Sequence, residues 1–575
     1  MKKIAFFKLF IFNATLAFSQ FPINRILGSN ESPTYEQTVL FYDSLAETNA
    51  DIHLFDMGTS DFGLPIYLCL LNSKTTDSAK VFADARNSTT ILINNAIHPG
   101  EPCGVNASMQ FALDFTELSE IEKSNYPTIA IIPAYNIGGM KNRGQYSRAN
   151  QNGPEHYGFR GNAKNLDLNR DFIKMDSENM FTFARIFHAL VPDIFVDTHT
   201  SNGADYQYTL TYIKPVQEKL APSLSSLFEN FLDPFMEDRM LSEWGIELFP
   251  YINMKSSTLD KGIVKYNATG RYSMGYADLF NSISITTEAH MLKPFEERVG
   301  ATYGFLQEIA VFAKQFSNEI EQARKEAFDY DKELTALPIN YGIDTIPSEI
   351  DFKGYAWCFE PSKVTVGQRL KYNRADSVDI QIPYYVRSKA GDTLSVPSFF
   401  IVERQATEVI ERLLANNIEM KVLEHDTMIG LNMHKVKSFQ STRTPYEGHY
   451  LHHTTSIETI EKDKTLKKGD VLISTEQRNK RFIVKVLSPT YVDSYFNWNF
   501  FDSYLQQKEH FSAYVFEDIA YEILNKDSEL KLLFKQKMHD DEDFVKSRYR
   551  QLNFIYRNSL YYENNAILPV YSVVD

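Results

Sequence analysis

Four short apolar runs, separated by stretches long enough for helices, set the strongest limit on how this chain can fold. Ile91-Leu92-Ile93, Ile129-Ala130-Ile131-Ile132, Ile194-Phe195-Val196 and Ile283-Ser284-Ile285 have the brevity and branched content of strands buried on both faces. Between them, Val105 to Leu118, Glu178 to Leu190 and Gln217 to Met236 read as helices. Strands alternating with helices imply an α/β domain: a mixed, largely parallel central sheet flanked by helices. Tyr303 to Tyr330 predicts one long helix ending in charge, with Leu337-Pro338 beyond it, so this domain is expected over 30–330.

With 575 residues the chain has room for a second unit. Residues 350–575 carry strand-rich segments at Val364 to Val386 and Met433 to Leu472, with turn signals at Lys389-Ala390-Gly391-Asp392 and Lys468-Gly469-Asp470. Pro397 to Leu423 reads as strand–helix–strand, and 500–555 as mostly helical. We expect a C-terminal mixed α+β accessory region here, without a catalytic constellation of its own.

The start of the chain is different in kind. Lys2, Lys3 and Lys8 accompany an apolar stretch from Ile4 to Phe18 that ends in Ala17-Phe18-Ser19, with a small residue at a plausible cut site, the pattern of a secretory signal peptide over 1–19. Cleavage is expected near Ser19-Gln20, placing the mature protein outside the cell or in a periplasm. No later segment offers ~20 uncharged apolar residues, so no stable membrane insertion is expected. The formal net charge of −15 argues against nucleic acid or an anionic membrane surface as partner. Cys69, Cys103 and Cys358 allow at most one bridge, not a disulfide scaffold.

The stretch Asn94-Asn95-Ala96-Ile97-His98-Pro99-Gly100-Glu101 carries chemistry. It follows a strand and precedes a helix, and Pro99 and Gly100 supply a bend across which an imidazole and a carboxylate can converge on one cation. The spacing alone is cheap: with 13 histidines in the chain, roughly one chance match is expected. His539-Asp540-Asp541-Glu542 repeats it inside a charged run and reads as a solvated face. Context distinguishes the first match. Asp197-Thr198-His199 stands directly after one strand core, and Thr286-Thr287-Glu288 after another. Open α/β sheets place their sites at such C-terminal strand ends. Two histidines, one carboxylate and an open position describe a catalytic zinc site, with His98, Glu101 and His199 as the three ligands of one Zn2+. Between them lie Phe159-Arg160-Gly161-Asn162 and Leu166-Asp167-Leu168-Asn169-Arg170-Asp171-Phe172. Arginines beside a metal can stabilise a developing oxyanion or grip a carboxylate through two parallel hydrogen bonds.

These motifs, in this order across roughly residues 30–325, resemble the zinc carboxypeptidases of the carboxypeptidase A type. The resemblance implies that His98, Glu101 and His199 bind zinc, that Asn169 and Arg170 hold a substrate's C-terminal carboxylate, and that Arg160 stabilises the oxyanion. It implies further that Asp167 orients a ligand histidine, and that Glu288 is the general base and then the acid toward the leaving amine. The chain departs from the family at Asn136-Ile137-Gly138-Gly139, where an Asn-Pro-Asp-Gly loop is usual. Tyr266 fits the spacing of the family's substrate-capping tyrosine, Tyr272 and Tyr276 in the same aromatic segment compete with it, and the role is left unassigned. His290 reads as structural, and Cys103 as a small buried side chain over the site. The expected activity is removal of C-terminal residues from peptides with a free carboxylate. The alternatives are a zinc amidohydrolase of small acidic metabolites and an inactive peptide-binding relative.

Overall fold

The computed structural model describes residues 29–573 apart from 74, 76 and 564, so the expected signal segment lies outside the described residues. An eight-stranded sheet forms the centre. In chain order its strands are β1 (Ile52–Thr59), β2 (Pro65–Leu71), β3 (Thr90–Asn94), β4 (Thr128–Ile132), β5 (Ile194–Ser201), β6 (Leu210–Ile213), β7 (Phe249–Pro250) and, after a short β8 (Ile263–Val264) that pairs elsewhere, β9 (Ile283–His290). They lie in the order β1-β2-β4-β3-β5-β9-β6-β7. The middle four, β4-β3-β5-β9, run parallel, and antiparallel pairs flank them on both sides. The sheet is thus mixed with a parallel centre, as the apolar runs imply.

Every residue of β3, β4, β5 and β9 is buried. In β3 and β4 this follows from apolar sequence. In β5 and β9 only the first halves are apolar, and Asp197 to Ser201 and Thr286 to His290 bring polar side chains into the interior. Burying such groups is costly unless each finds a partner, so the C-terminal halves of these two strands mark where the sheet departs from mere packing.

Helices Cys103–Thr116 and Glu178–Leu190 form where periodicity places them. Two other helical expectations need correction. Tyr303 to Tyr330 is not one helix: Phe295–Gln315 and Ser317–Lys332 meet at Phe316, whose backbone leaves helical geometry (φ −114°, ψ 29°). Its ring packs among Phe231, Phe235 and Phe312. The stretch from Gln217 is a short 3-10 turn, and the helix begins only at Pro222, which is tolerated in a first turn but not inside a helix.

Beyond residue 345, Ser348–Pro361 and Gln368–Tyr385 make a long hairpin, and six strands form an antiparallel sheet, edged by the pair Thr427–Ser441 and His452–Leu466. Helices Ala513–Lys526, Ser528–Asp540 and Arg548–Arg557 follow. This region is built into the first. β8 pairs with Tyr384 and Tyr385 of the hairpin, and Phe482, Ile483 and Trp498 belong to the same core as the central sheet. Arg271 and Asp493 form a buried ion pair across the junction at 2.6 Å. Among the described residues, no helix is long and apolar enough to cross a membrane.

Candidate active site

The chain leaves β3 at Asn94 and passes to β4 on one side of the sheet, while β5 lies on the other side of β3. A crevice opens outside the C-terminal strand ends at such a change of direction. Just past β3, Ala96 takes a left-handed backbone (φ 57°), a conformation that costs a non-glycine residue of order 1 kcal/mol. It turns the chain so that His98 points back over β5, and Glu101 N–H closes the turn onto His98 C=O at 2.8 Å. The helix starting at Cys103 then packs tightly on β5. A Cβ at Gly104 would sit 1.9 Å from Thr198 Oγ1, so only glycine permits that approach.

Three buried side chains converge there. His98 Nδ1 and His199 Nδ1 are 3.2 Å apart, His199 Nδ1 and Glu101 Oε2 3.1 Å, and His98 Nδ1 and Glu101 Oε1 3.4 Å. One ligand atom from each of the three lies within 4.8 Å of the others. A tetrahedral cation with bonds of 2.0–2.1 Å would hold its donors about 3.3 Å apart. The far side of each ring completes the fit: His98 Nε2 lies 2.9 Å from Asp167 Oδ1, and His199 Nε2 3.0 Å from Asp197 Oδ2. Each Nε2–H can therefore donate to a carboxylate, leaving both Nδ1 lone pairs directed inward, the arrangement a metal-binding histidine requires.

Electrostatics concentrate on the same atoms. Burial alone would raise the Glu101 carboxyl, but Arg148 and His98 hold it well below the usual carboxylate range. Burial would lower His199, yet Asp197 and Glu101 push it well above. Asp167 is likewise held well below the usual range, against its burial, by His98 and Arg160. Glu288 goes the other way. Burial pushes its carboxyl up to about 8, with Glu101 adding to the rise and His199, Arg148 and Arg160 opposing it. A cation among the three converging donors would pull it down again.

Glu288, Arg160, Asn169 and Arg170 all line one cavity of about 480 Å³ together with His98, Glu101 and His199. Arg160 is half-exposed, with Nε 2.9 Å from Asp167 Oδ2 and Nη1 3.5 Å from Glu101 Oε1. Arg170 stacks on the Tyr272 ring at 4.4 Å, and its Nη1 donates to Asn169 C=O at 2.7 Å. Asn169 Oδ1 accepts from Ser273 N–H at 2.9 Å. Tyr266 and Tyr272 line the cavity, packed edge to face at 5.5 Å. Tyr276 does not: it is wholly buried, with its hydroxyl on Asn416 at 2.6 Å. His290 stacks on Tyr206 at 3.8 Å, away from the converging donors. Cys103 is buried with Sγ 3.3 Å from Thr200 Oγ1, and none of the three cysteines is bridged. His539 is exposed and pairs with its neighbour Asp540.

Asn136 ties two loops of the site together. Its side chain accepts from Gly139 N–H at 2.8 Å and donates to Ile97 C=O at 3.2 Å and Arg160 C=O at 3.0 Å, joining the loops that carry His98 and Arg160. A Cβ at Gly139 would lie 2.4 Å from Phe159 C=O, so that loop can close only on glycine.

The sequence reading misses four contributors. Arg148 donates through Nη1 to Glu101 Oε1 at 2.6 Å and through Nη2 to Thr200 C=O at 3.1 Å. It sits in an irregular polar loop with no spacing signal. Tyr251 lines the cavity from a segment distant in sequence. Asp197, two residues before His199 and so on the same strand face, carries the one available signal. Glu447, from the C-terminal region, accepts from Asp167 N–H at 2.7 Å. That contact makes the second region a support of the site.

No family model matches the chain, and no curated protein matches it. Solved structures do. A metallo-carboxypeptidase from Burkholderia cenocepacia is 17% identical over 50% of this chain and 70% of that one, with a TM-score of 0.37. A metallo-carboxypeptidase from Pseudomonas aeruginosa in complex with (2-guanidinoethylmercapto)succinic acid is 13% identical over 50% and 70%, at 0.37. The carboxypeptidase A of Helicoverpa armigera is 14% identical over 55% and 78%, at 0.36. The chain is similar to these structures over about half its length.

Proposed function

We propose that this protein is an exported zinc metallocarboxypeptidase that removes the C-terminal residue of peptides. The observation that carries the reading is the meeting, in one cavity, of three converging metal donors, one separate carboxyl and an arginine–asparagine pair. His98, Glu101 and His199 would hold a single Zn2+, which when bound supplies Lewis acidity and a more acidic water.

The chain's own residues do the rest. Arg170, oriented by the Tyr272 ring, binds the substrate's terminal carboxylate in a fork, and Asn169 lies beside it. That grip makes the bond next to a free C-terminus the one presented to the metal donors, which is exopeptidase geometry. Glu288 accepts a proton from the attacking water at its carboxylate and returns it to the departing amine. Arg160 faces the cavity with positive charge for the scissile carbonyl oxygen as that oxygen becomes negative. Asp167 and Asp197 keep the two imidazoles in the tautomer that points Nδ1 inward. Ile213, Ala268 and Met274 form an apolar cluster with Tyr251, Tyr266 and Tyr272 at the cavity wall, and these fit an uncharged terminal side chain.

The test is release of C-terminal residues from a mixed peptide library, with and without a zinc chelator. We expect sequential loss of single terminal residues that stops on chelation and resumes with added zinc. Release of acyl groups from small amides with no trimming of peptides would overturn the peptidase reading. Full zinc occupancy with neither activity would overturn the enzymatic one.

A further inference from the structure

A second cavity, of about 360 Å³, lies where the C-terminal region closes against the first domain. Helix Lys480–Leu487 forms part of its wall, and every residue of that helix is buried although three of the eight are basic. Two of the three cations are accounted for. Lys480 Nζ donates to Lys332 C=O at 2.6 Å, and Arg481 pairs with Asp331 at 2.7 Å while donating to Lys219 C=O at 2.8 Å. Lys485 is not. It is only 6% exposed and lines the cavity, and among the described residues its ammonium has one weak contact, a Tyr491 ring 5.7 Å away. A buried ammonium without a hydrogen-bond acceptor is costly and ordinarily loses its proton or takes a counter-ion.

The surroundings favour a counter-ion. Lys219 lines the same cavity with Nζ 2.6 Å from Ala268 C=O. Thr269, also on the wall, has a buried hydroxyl without a partner. Two acids line the same wall, Asp392 and Asp278, the latter's carboxylate accepting from Ser284 Oγ. Burial raises that carboxyl to about 6 and lowers Lys485 to about 7, Arg481 and Lys219 adding to the latter. Among the described residues Lys485 is therefore the cation on this wall without an acceptor, in a space of the size that takes small ligands.

We propose that this cavity is a binding site for a small oxyanion, a phosphate or a carboxylate, held between Lys485 and Lys219. The site does not depend on the peptidase reading. It does adjoin the other cavity: Ala268 lines both, and Thr269-Gly270 continues into the segment that carries Tyr272. An anion here therefore braces the loop behind the first site.

The experiment is thermal unfolding and titration calorimetry of the full chain with inorganic phosphate, acetate or chloride at equal ionic strength. We expect phosphate or acetate to raise the midpoint beyond chloride and to saturate, the better anion identifying the class. Lys485→Met should weaken binding about tenfold or more, the loss of one charge-assisted hydrogen bond. Lys219→Met is the independent variant should the first not fold. No oxyanion effect beyond chloride would overturn the proposal. So would a folded lysine variant that keeps the full response, or an effect removed by Arg170→Met alone, which would place the anion in the first cavity.

Discussion

His199 and Glu288 are direct partners across the parallel pair of β5 and β9. Register partners in a sheet project to the same face, so one pairing brings an imidazole and a carboxyl, 89 positions apart in sequence, to the same cavity. Each sits three residues past an apolar strand core. That shared offset lets two unrelated segments supply one site.

Glu288→Gln removes the proposed proton acceptor and keeps shape. Turnover should fall by about 10²–10⁴-fold while metal content, measured on the purified variant, stays at the wild-type level. A variant that retains most of its rate would take Glu288 out of the mechanism.

Arg170→Lys replaces a planar fork with a point charge and removes the stack on Tyr272. Binding of peptides with a free C-terminal carboxylate should weaken far more than binding of their amidated counterparts. Equal losses on the two series would show that Arg170 does not grip the carboxylate.

Asp197→Asn tests the support behind His199. Asp197 is wholly buried and accepts from Asn94 Nδ2 and Ser273 Oγ as well as facing His199 Nε2. Metal affinity, measured by competition with a chelator, should drop about 10–100-fold. Unchanged affinity would mean that the imidazole needs no partner on that side.

Asp176 predicts an acid limb of stability. Its carboxyl lies 2.7 Å from Lys174 Nζ and 2.7 Å from His449 Nε2 of the C-terminal region. Burial opposes ionisation, but His449 and Lys174 outweigh it and lower the pKa to about 2. A lowered pKa stabilises the folded state above the unfolded value of about 3.9, and that contribution, about 2 kcal/mol, is lost as pH falls through 2. Asp176→Asn should therefore be less stable at neutral pH and show a flatter decline between pH 4 and 2 in denaturant titrations. An unchanged acid limb would sink the assignment.

Much of this was legible in the chain. The strand cores at 91–93, 129–132, 194–196 and 283–285 could be read because burial on both faces demands continuous apolar side chains. His98, Glu101, His199 and Glu288 could be read because each follows one of those cores within eight residues. Arg148 and Glu447 could not. They act through single contacts to Glu101 and Asp167 from irregular loops, where no period constrains residue type. The choice among the three tyrosines was equally closed to sequence. Tyr276 shares the aromatic segment with Tyr266 and Tyr272 but points into the core.

The sequence by itself determined the sheet's buried strands and the residues at their ends, because local patterning dictates which segments bury backbone and apolar surface together. Only the tertiary structure decided which side chains share the cavity and that the C-terminal region braces Asp167. It alone revealed a second cavity with an unpaired Lys485. Those outcomes depend on contacts between segments far apart in the chain, and such contacts leave no periodic trace in either partner.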